Sequence, residues 1–173
     1  SKQFFDRTIK RHYIALVWGD IEKASGRIEC NVARNPNNRK VFMAVEDGHI
    51  GKYAATNYEV LKRYGYTTLV KCKLETGRTH QIRVHMKYIG HTLFGDYSYG
   101  GDQILAGTVY GKYKTFIENC FKLMPYHALH AQSLGFIHPR TNEEMYFEMP
   151  FFIRAPMKKC ILKCLYLKTS RRW

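Results

Sequence analysis

Ten consecutive residues hold most of the chemistry legible in this sequence: Thr76-Gly77-Arg78-Thr79-His80-Gln81-Ile82-Arg83-Val84-His85. A glycine turn leads into a stretch where Ile82, Met86 and Ile89 recur at helical spacing until Gly90, with Thr79 placed to cap the first turn. The cluster therefore belongs at the head of a short helix. On that helix His80, Arg83 and Lys87 share one face, opposite Ile82 and Ile89. The free N–H groups and partial positive charge of a helix N-terminus favour an anion, so an RNA phosphate or an enzyme carboxylate both fit. A basic face that is merely solvated is the competing reading of the same residues.

The elements that must position this cluster are mostly strands. Residues 10–18 alternate apolar and aromatic side chains with little difference between the two faces, which predicts a central strand ending at Gly19. Residues 26–32 and 41–45 read as strands around the turn cluster Asn35-Pro36-Asn37-Asn38. Residues 54–62 and 66–74 form a predicted hairpin about Arg63-Tyr64-Gly65. A second helix follows from Tyr113, Phe116, Ile117, Cys120 and Phe121 at i, i+3, i+4, i+7 and i+8, broken by Pro125, and its apolar face should be core. Residues 129–137 and 144–149 make a last hairpin. Turn-linked strands with few helices predict a mixed α+β domain on a mainly antiparallel sheet with a few flanking helices.

Composition narrows the class. The chain has 173 residues, 28 Lys and Arg against 14 Asp and Glu, and a formal charge of +14. That excess suits a phosphate-bearing partner, nucleic acid first. Half of it lies beyond Pro150, where Arg154, Lys158, Lys159, Lys163, Lys168, Arg171 and Arg172 occur with no acidic residue. The organisation expected is a domain over residues 1–156 and a basic tail over 157–173. No apolar run is long enough to span a bilayer and the first residues lack the order of a secretion signal. The five cysteines make no disulfide framework, so a cytoplasmic location is the expectation. His127 and His130, spaced H-x-x-H, lack a third ligand, and Cys160 with Cys164 lack histidines, so no metal site is expected.

The cluster also resembles the best-known segment of the RluA-type RNA pseudouridine synthases, with Leu74 preceding Thr76 to Arg83. Gly90-His91-Thr92-Leu93-Phe94-Gly95-Asp96 with Tyr99 is similar to the loop that follows in that family. Leu129-His130-Ala131, Leu134-Gly135-Phe136 and His138-Pro139 are similar to its late strand and turn, and residues 11–19 to its active-site tyrosine strand. The resemblance spans roughly residues 4–150, with the motifs in the family's order. It implies an enzyme that isomerises uridine to pseudouridine in structured RNA, ribosomal RNA before transfer RNA, without a cofactor. It implies that Tyr13 stacks on the flipped uracil and takes part in proton transfer at C5. It implies further that Arg83 pairs with the catalytic aspartate and that Leu129 walls the base pocket. Arg78, His80 and Lys87 become candidate phosphate contacts.

One segment of the family's pattern has no counterpart: these residues contain no His-Arg-Leu-Asp, which carries the family's nucleophile. The aspartates present, Asp6, Asp20, Asp47, Asp96 and Asp102, lie in other contexts, with Asp96 expected to be structural. The expectation is the C-terminal part of a catalytic domain, inactive by itself, with a non-catalytic RNA-binding module as the rival reading. Arg83 should then turn to solvent, find another anion, or meet a carboxylate from a separate polypeptide, because a buried unpaired charge typically costs ~3–5 kcal/mol. A sheet edge and apolar surface should be exposed, offering a route to association.

Overall fold

The computed structural model describes residues 8–149 together with Gln3 and Asp6. Seven strands form one sheet: β1 (Lys10–Trp18), β2 (Ser25–Arg34), β3 (Phe42–Val45), β4 (Lys52–Arg63), β5 (Thr67–Leu74), β6 (Leu129–Ile137) and β7 (Glu144–Glu148). Their order is β3-β2-β4-β5-β1-β6-β7, and every neighbouring pair is antiparallel. Among the described residues the sheet is flanked by helices α1 (Gln81–Tyr88) and α2 (Gly111–Leu123) and a 3-10 turn (Tyr97–Tyr99). The α+β class read from the sequence is the one the chain adopts. The basic tail and its two cysteines lie outside the described residues.

The apolar alternation of β1 has a direct cause, since the strand is hydrogen-bonded to β5 on one side and β6 on the other and covered on both faces. Ile14, Leu16 and Trp18 project to one face, where they pack with Phe94 and with Ile117, Cys120 and Met124 of and beside α2. Ala15 and Val17 project to the other, where they pack with Ile82 and Met86 of α1, Val70, Cys72 and Leu93. The predicted apolar stripe of α2 is thus core. Its most central contact is Trp18, 1% exposed, tilted against Phe94 with centroids 4.9 Å apart. β3 and β7 are the edges of the described sheet, and β7 exposes Tyr146 and Phe147. Apolar surface at an edge is therefore present as expected.

The start of α1 differs from the sequence reading. Thr79 does not cap it; His80 occupies that position in a left-handed conformation, φ 57°, with no side-chain cap. The helix begins one residue later than the motif suggests because the segment before it is held by long-range bonds to β4 rather than by a local cap.

Candidate functional site

Thr76 and Gln81 anchor the motif loop. The Thr76 hydroxyl accepts the Ala55 N–H at 3.0 Å and donates to Gln81 Oε1 at 2.7 Å. The same Oε1 accepts the Arg78 N–H at 2.9 Å, while Gln81 Nε2 donates to Ala55 O and Thr56 Oγ1, both at 2.9 Å. Thr76 and Gln81 are both buried, so these bonds satisfy groups that water cannot reach. A Cβ at Gly77 would stand 2.8 Å from Nη1 of Arg11, whose guanidinium lies against the loop and would have to shift.

Beyond the loop, α1 turns His80, Arg83 and Lys87 toward one residue, Tyr99. His80 Nδ1 lies 2.9 Å from the Tyr99 hydroxyl, which also accepts the Phe42 N–H at 2.9 Å. Arg83 stacks over the Tyr99 ring at 4.5 Å, and Lys87 Nζ donates to Tyr99 O at 3.0 Å. The shared face predicted from spacing exists, but it is packed on a tyrosine rather than solvated. Burial and the nearby Arg83 charge push the His80 pKa down, with His127 adding to the effect and Asp96 opposing it. His80 is therefore neutral near pH 7, and its Nδ1 suits a hydrogen donated by Tyr99.

Arg83 finds its anion inside the chain. Its Nε donates to Asp96 Oδ2 and its Nη2 to Asp96 Oδ1, each at 2.7 Å, a side-on bidentate pair. The side chains are 11% and 1% exposed. Of the three fates expected for this arginine, the structure selects the second, and the residue expected to be merely structural supplies the charge. The end-on edge, Nη1 and the second hydrogen of Nη2, makes no hydrogen bond among the described residues. Asp96 is held by its own loop: Gly101 N donates to Asp96 O at 2.8 Å, Gly95 N to Gly101 O at 2.9 Å, and Trp18 Nε1 to Gly101 O at 2.8 Å. Only glycine fits at 101, where a Cβ would come within 1.9 Å of Leu93 O.

Tyr13 and Leu129 lie on the α1 side of the sheet, both packed on the cluster that contains Ile82 and Met86. Tyr13 pairs with Cys72 of β5 and Ala131 of β6, and Leu129 pairs with Ala15 two positions along β1. The tyrosine is half-buried, and its hydroxyl makes no hydrogen bond among the described residues. The β1–β6 register shifts between His12 and Tyr13, leaving Gln132 unpaired as a bulge. Bulges of this kind re-aim neighbouring side chains. Gln132 Oε1 is buried without a partner among the described residues, a feature that periodicity gave no means of finding.

Of the candidate phosphate contacts, Lys87 is exposed with its Nζ against Tyr99 O, His80 is engaged by Tyr99, and Arg78 donates through Nε to Tyr53 O at 3.0 Å. His130 Nε2 lies 3.1 Å from Met149 O, on the strand face opposite Leu129. The site residues that sequence reasoning undervalued are Asp96 and Tyr99. For Asp96 and Tyr99 the signal is in the Gly90 to Asp96 stretch and Tyr99, which resemble the family's loop.

An antiparallel sheet with a Thr-Gly-Arg loop, a bidentate arginine and a tyrosine on one face defines a class rather than a single protein. The family described as RNA pseudouridylate synthase matches residues 1–88, half of the chain, and the chain belongs to that family. Among curated relatives, an uncharacterized RNA pseudouridine synthase of Chlorobaculum parvum is 41% identical over 151 residues, covering 87% of this chain and 46% of the relative. The ribosomal large subunit pseudouridine synthase D of Nitrosomonas europaea is 39% identical over 150 residues, covering 87% and 40%. The chain thus spans less than half the length of these relatives. The solved structure of human RNA pseudouridylate synthase domain containing 1 superposes with a TM-score of 0.68 at 24% identity, covering 92% of this chain and 61% of that one, and shows the shared fold.

Proposed function

We propose that the protein carrying this chain isomerises uridine to pseudouridine in structured RNA, ribosomal RNA before transfer RNA, in the cytoplasm. The observation that supports this most is the placement of Tyr13, Leu129 and α1 with Arg83 on one face of the sheet. In the reaction the N1–C1′ bond of the uridine breaks, the base turns, and a C5–C1′ bond forms. C5 then gives up its proton and N1 ends protonated, so atoms and charge balance without a cofactor. Tyr13 stacks on the extruded uracil, offsetting part of the few kcal/mol that unstacking a base requires, and its free phenol serves the proton transfer at C5. Leu129 forms an apolar wall beside it. Arg83, held by Asp96 through one edge, offers its end-on edge to the nucleophilic carboxylate that the family employs, keeping it ionised and oriented. Lys87 and Arg78 meet RNA phosphates.

Release of tritium from RNA labelled at uridine C5, measured on the protein expressed from its complete reading frame, tests the reaction. Wild type should release tritium. Tyr13→Phe, which keeps the ring, should slow release by on the order of 100-fold or more while RNA affinity stays within about twofold. Equal rates for the two would refute the role given to the phenol. RNA binding without release in wild type would leave the rival reading, a binding module without chemistry.

A further inference from the structure

Between the β2–β3 loop and α1 lies a cleft of about 590 Å³, within the ~300–1,000 Å³ range of small-ligand sites. Asn35, Asn38, Phe42, Lys87, Ser98 and Tyr99 line it, and no acidic residue does. The loop is set by its own side chains. Asn35 Oδ1 accepts the N–H groups of Asn37 and Asn38 at 2.9 and 3.3 Å, Asn38 Oδ1 accepts that of Lys40 at 3.1 Å, and Arg34 Nη1 donates to Arg39 O at 2.6 Å. These bonds consume the amide oxygens and leave the Nδ2 donors of Asn35 and Asn38, beside Lys87 Nζ and the Ser98 hydroxyl. The cleft therefore sets side-chain donors and no carboxylate among the apolar groups Val41, Met43, Ala44 and Val84. Arg39 and Lys40, between lining residues Asn38 and Val41, are exposed and unpaired among the described residues. At one end of the cleft Tyr88 donates to Glu46 at 3.1 Å.

Tyr99 is the shared wall. One residue separates the cleft from Arg83, and the chain of contacts Arg34–Phe42–His80–Tyr99 links loop to site, with Arg34 4.9 Å from the Phe42 ring and Phe42 edge-on to His80 at 5.6 Å. We propose that this cleft binds a nucleotide of single-stranded RNA flanking the target uridine, with Lys87, Arg39 and Lys40 on its phosphates and the amide donors on its acceptor groups. The inference rests on the proposed RNA activity and adds a subsite to it. A wall that mixes aromatic and apolar groups with amide, hydroxyl and ammonium donors, next to a loop carrying two more cations, matches a strand of bases and phosphates better than it matches a cationic partner.

The test uses a fluorescein-labelled oligouridine of about 12 nucleotides and fluorescence anisotropy over a range of salt, on the protein from its complete reading frame. The double variant Arg39→Glu with Lys40→Glu should weaken binding on the order of 10-fold or more and flatten the log–log salt slope by about 1.4, two contacts at ~0.7 each. The control, Lys112→Glu with Lys122→Glu on α2, changes net charge equally and should have a smaller effect. Ser98→Trp, which fills the cleft without touching charge, should weaken binding and leave the slope intact. The proposal is overturned by charge reversal in the loop that matches the control, by a Ser98→Trp affinity within twofold of wild type, or by no oligouridine binding in wild type. Wild type that binds the oligonucleotide with these variant effects yet releases no tritium would sink the enzymatic reading and leave the subsite standing.

Discussion

Replacing Asp96 with Ala tests the buried pair at the centre of the site. The carboxylate is 1% exposed and makes two charge-assisted bonds of 2.7 Å to Arg83. Hydrogen bonds to charged groups contribute ~1.5–3 kcal/mol each, and breaking a buried pair by deleting one partner costs ~3–5 kcal/mol. Arg83 keeps its position over the Tyr99 ring, which retains on the order of 1–2 kcal/mol. The expected loss for Asp96→Ala is therefore about 3 kcal/mol, a large share of the ~5–15 kcal/mol by which domains are stable. Arg83→Met should lose a similar amount at pH 7, but the two variants should part company with pH. The orphaned carboxylate of Arg83→Met can take up a proton, so its deficit shrinks between pH 7 and 5. The orphaned guanidinium of Asp96→Ala stays charged, so its deficit does not. Joining both substitutions removes both orphans, and the double variant should be at least ~2 kcal/mol more stable than the sum of the singles predicts. Urea unfolding followed by circular dichroism measures all three. Singles that add to within ~0.5 kcal/mol, or deficits that move together with pH, would refute the pairing.

Two further outcomes follow from single residues. His85 is fully buried, and neither ring nitrogen has a hydrogen-bond partner among the described residues; burial lowers its pKa to about 4. With a value near 6.5 in the unfolded chain, the unfolded state binds more protons as pH drops below ~6.5, so stability is level above that and falls by up to about 3 kcal/mol toward pH 4. His85→Leu should remove that slope in unfolding measured from pH 7 to 4, and an unchanged slope would place the titration elsewhere. Gly101→Ala puts a Cβ 1.9 Å from Leu93 O, a backbone clash that must move the loop holding Asp96. It should cost at least ~2 kcal/mol in urea unfolding, and a loss under ~0.5 kcal/mol would show that the loop relaxes freely.

The strands, both helices and the central place of β1 were legible because each depends on local periodicity and turn chemistry, and the two apolar faces of β1 could only be read as a strand covered twice. The family was legible because its motifs occur in order along the chain. The same residues show where local reading stops. His80, Arg83 and Lys87 were correctly placed on one helix face by their spacing. What that face meets depends on Tyr99, twelve or more positions away from each of them along the chain, and on the loop that carries it.

The sequence by itself determined the elements, the antiparallel class and the family, since these follow from side-chain spacing and ordered motifs over short spans. Only the tertiary structure decided that Arg83 is neutralised by Asp96, that Gln81 and Thr76 rather than a capping threonine begin α1, and that a bulge at Gln132 lies beside Tyr13. Each of these arises because burial removes water as a partner. A buried charge or amide must then take whatever group the fold brings to it, and spacing along the chain does not say which group that is.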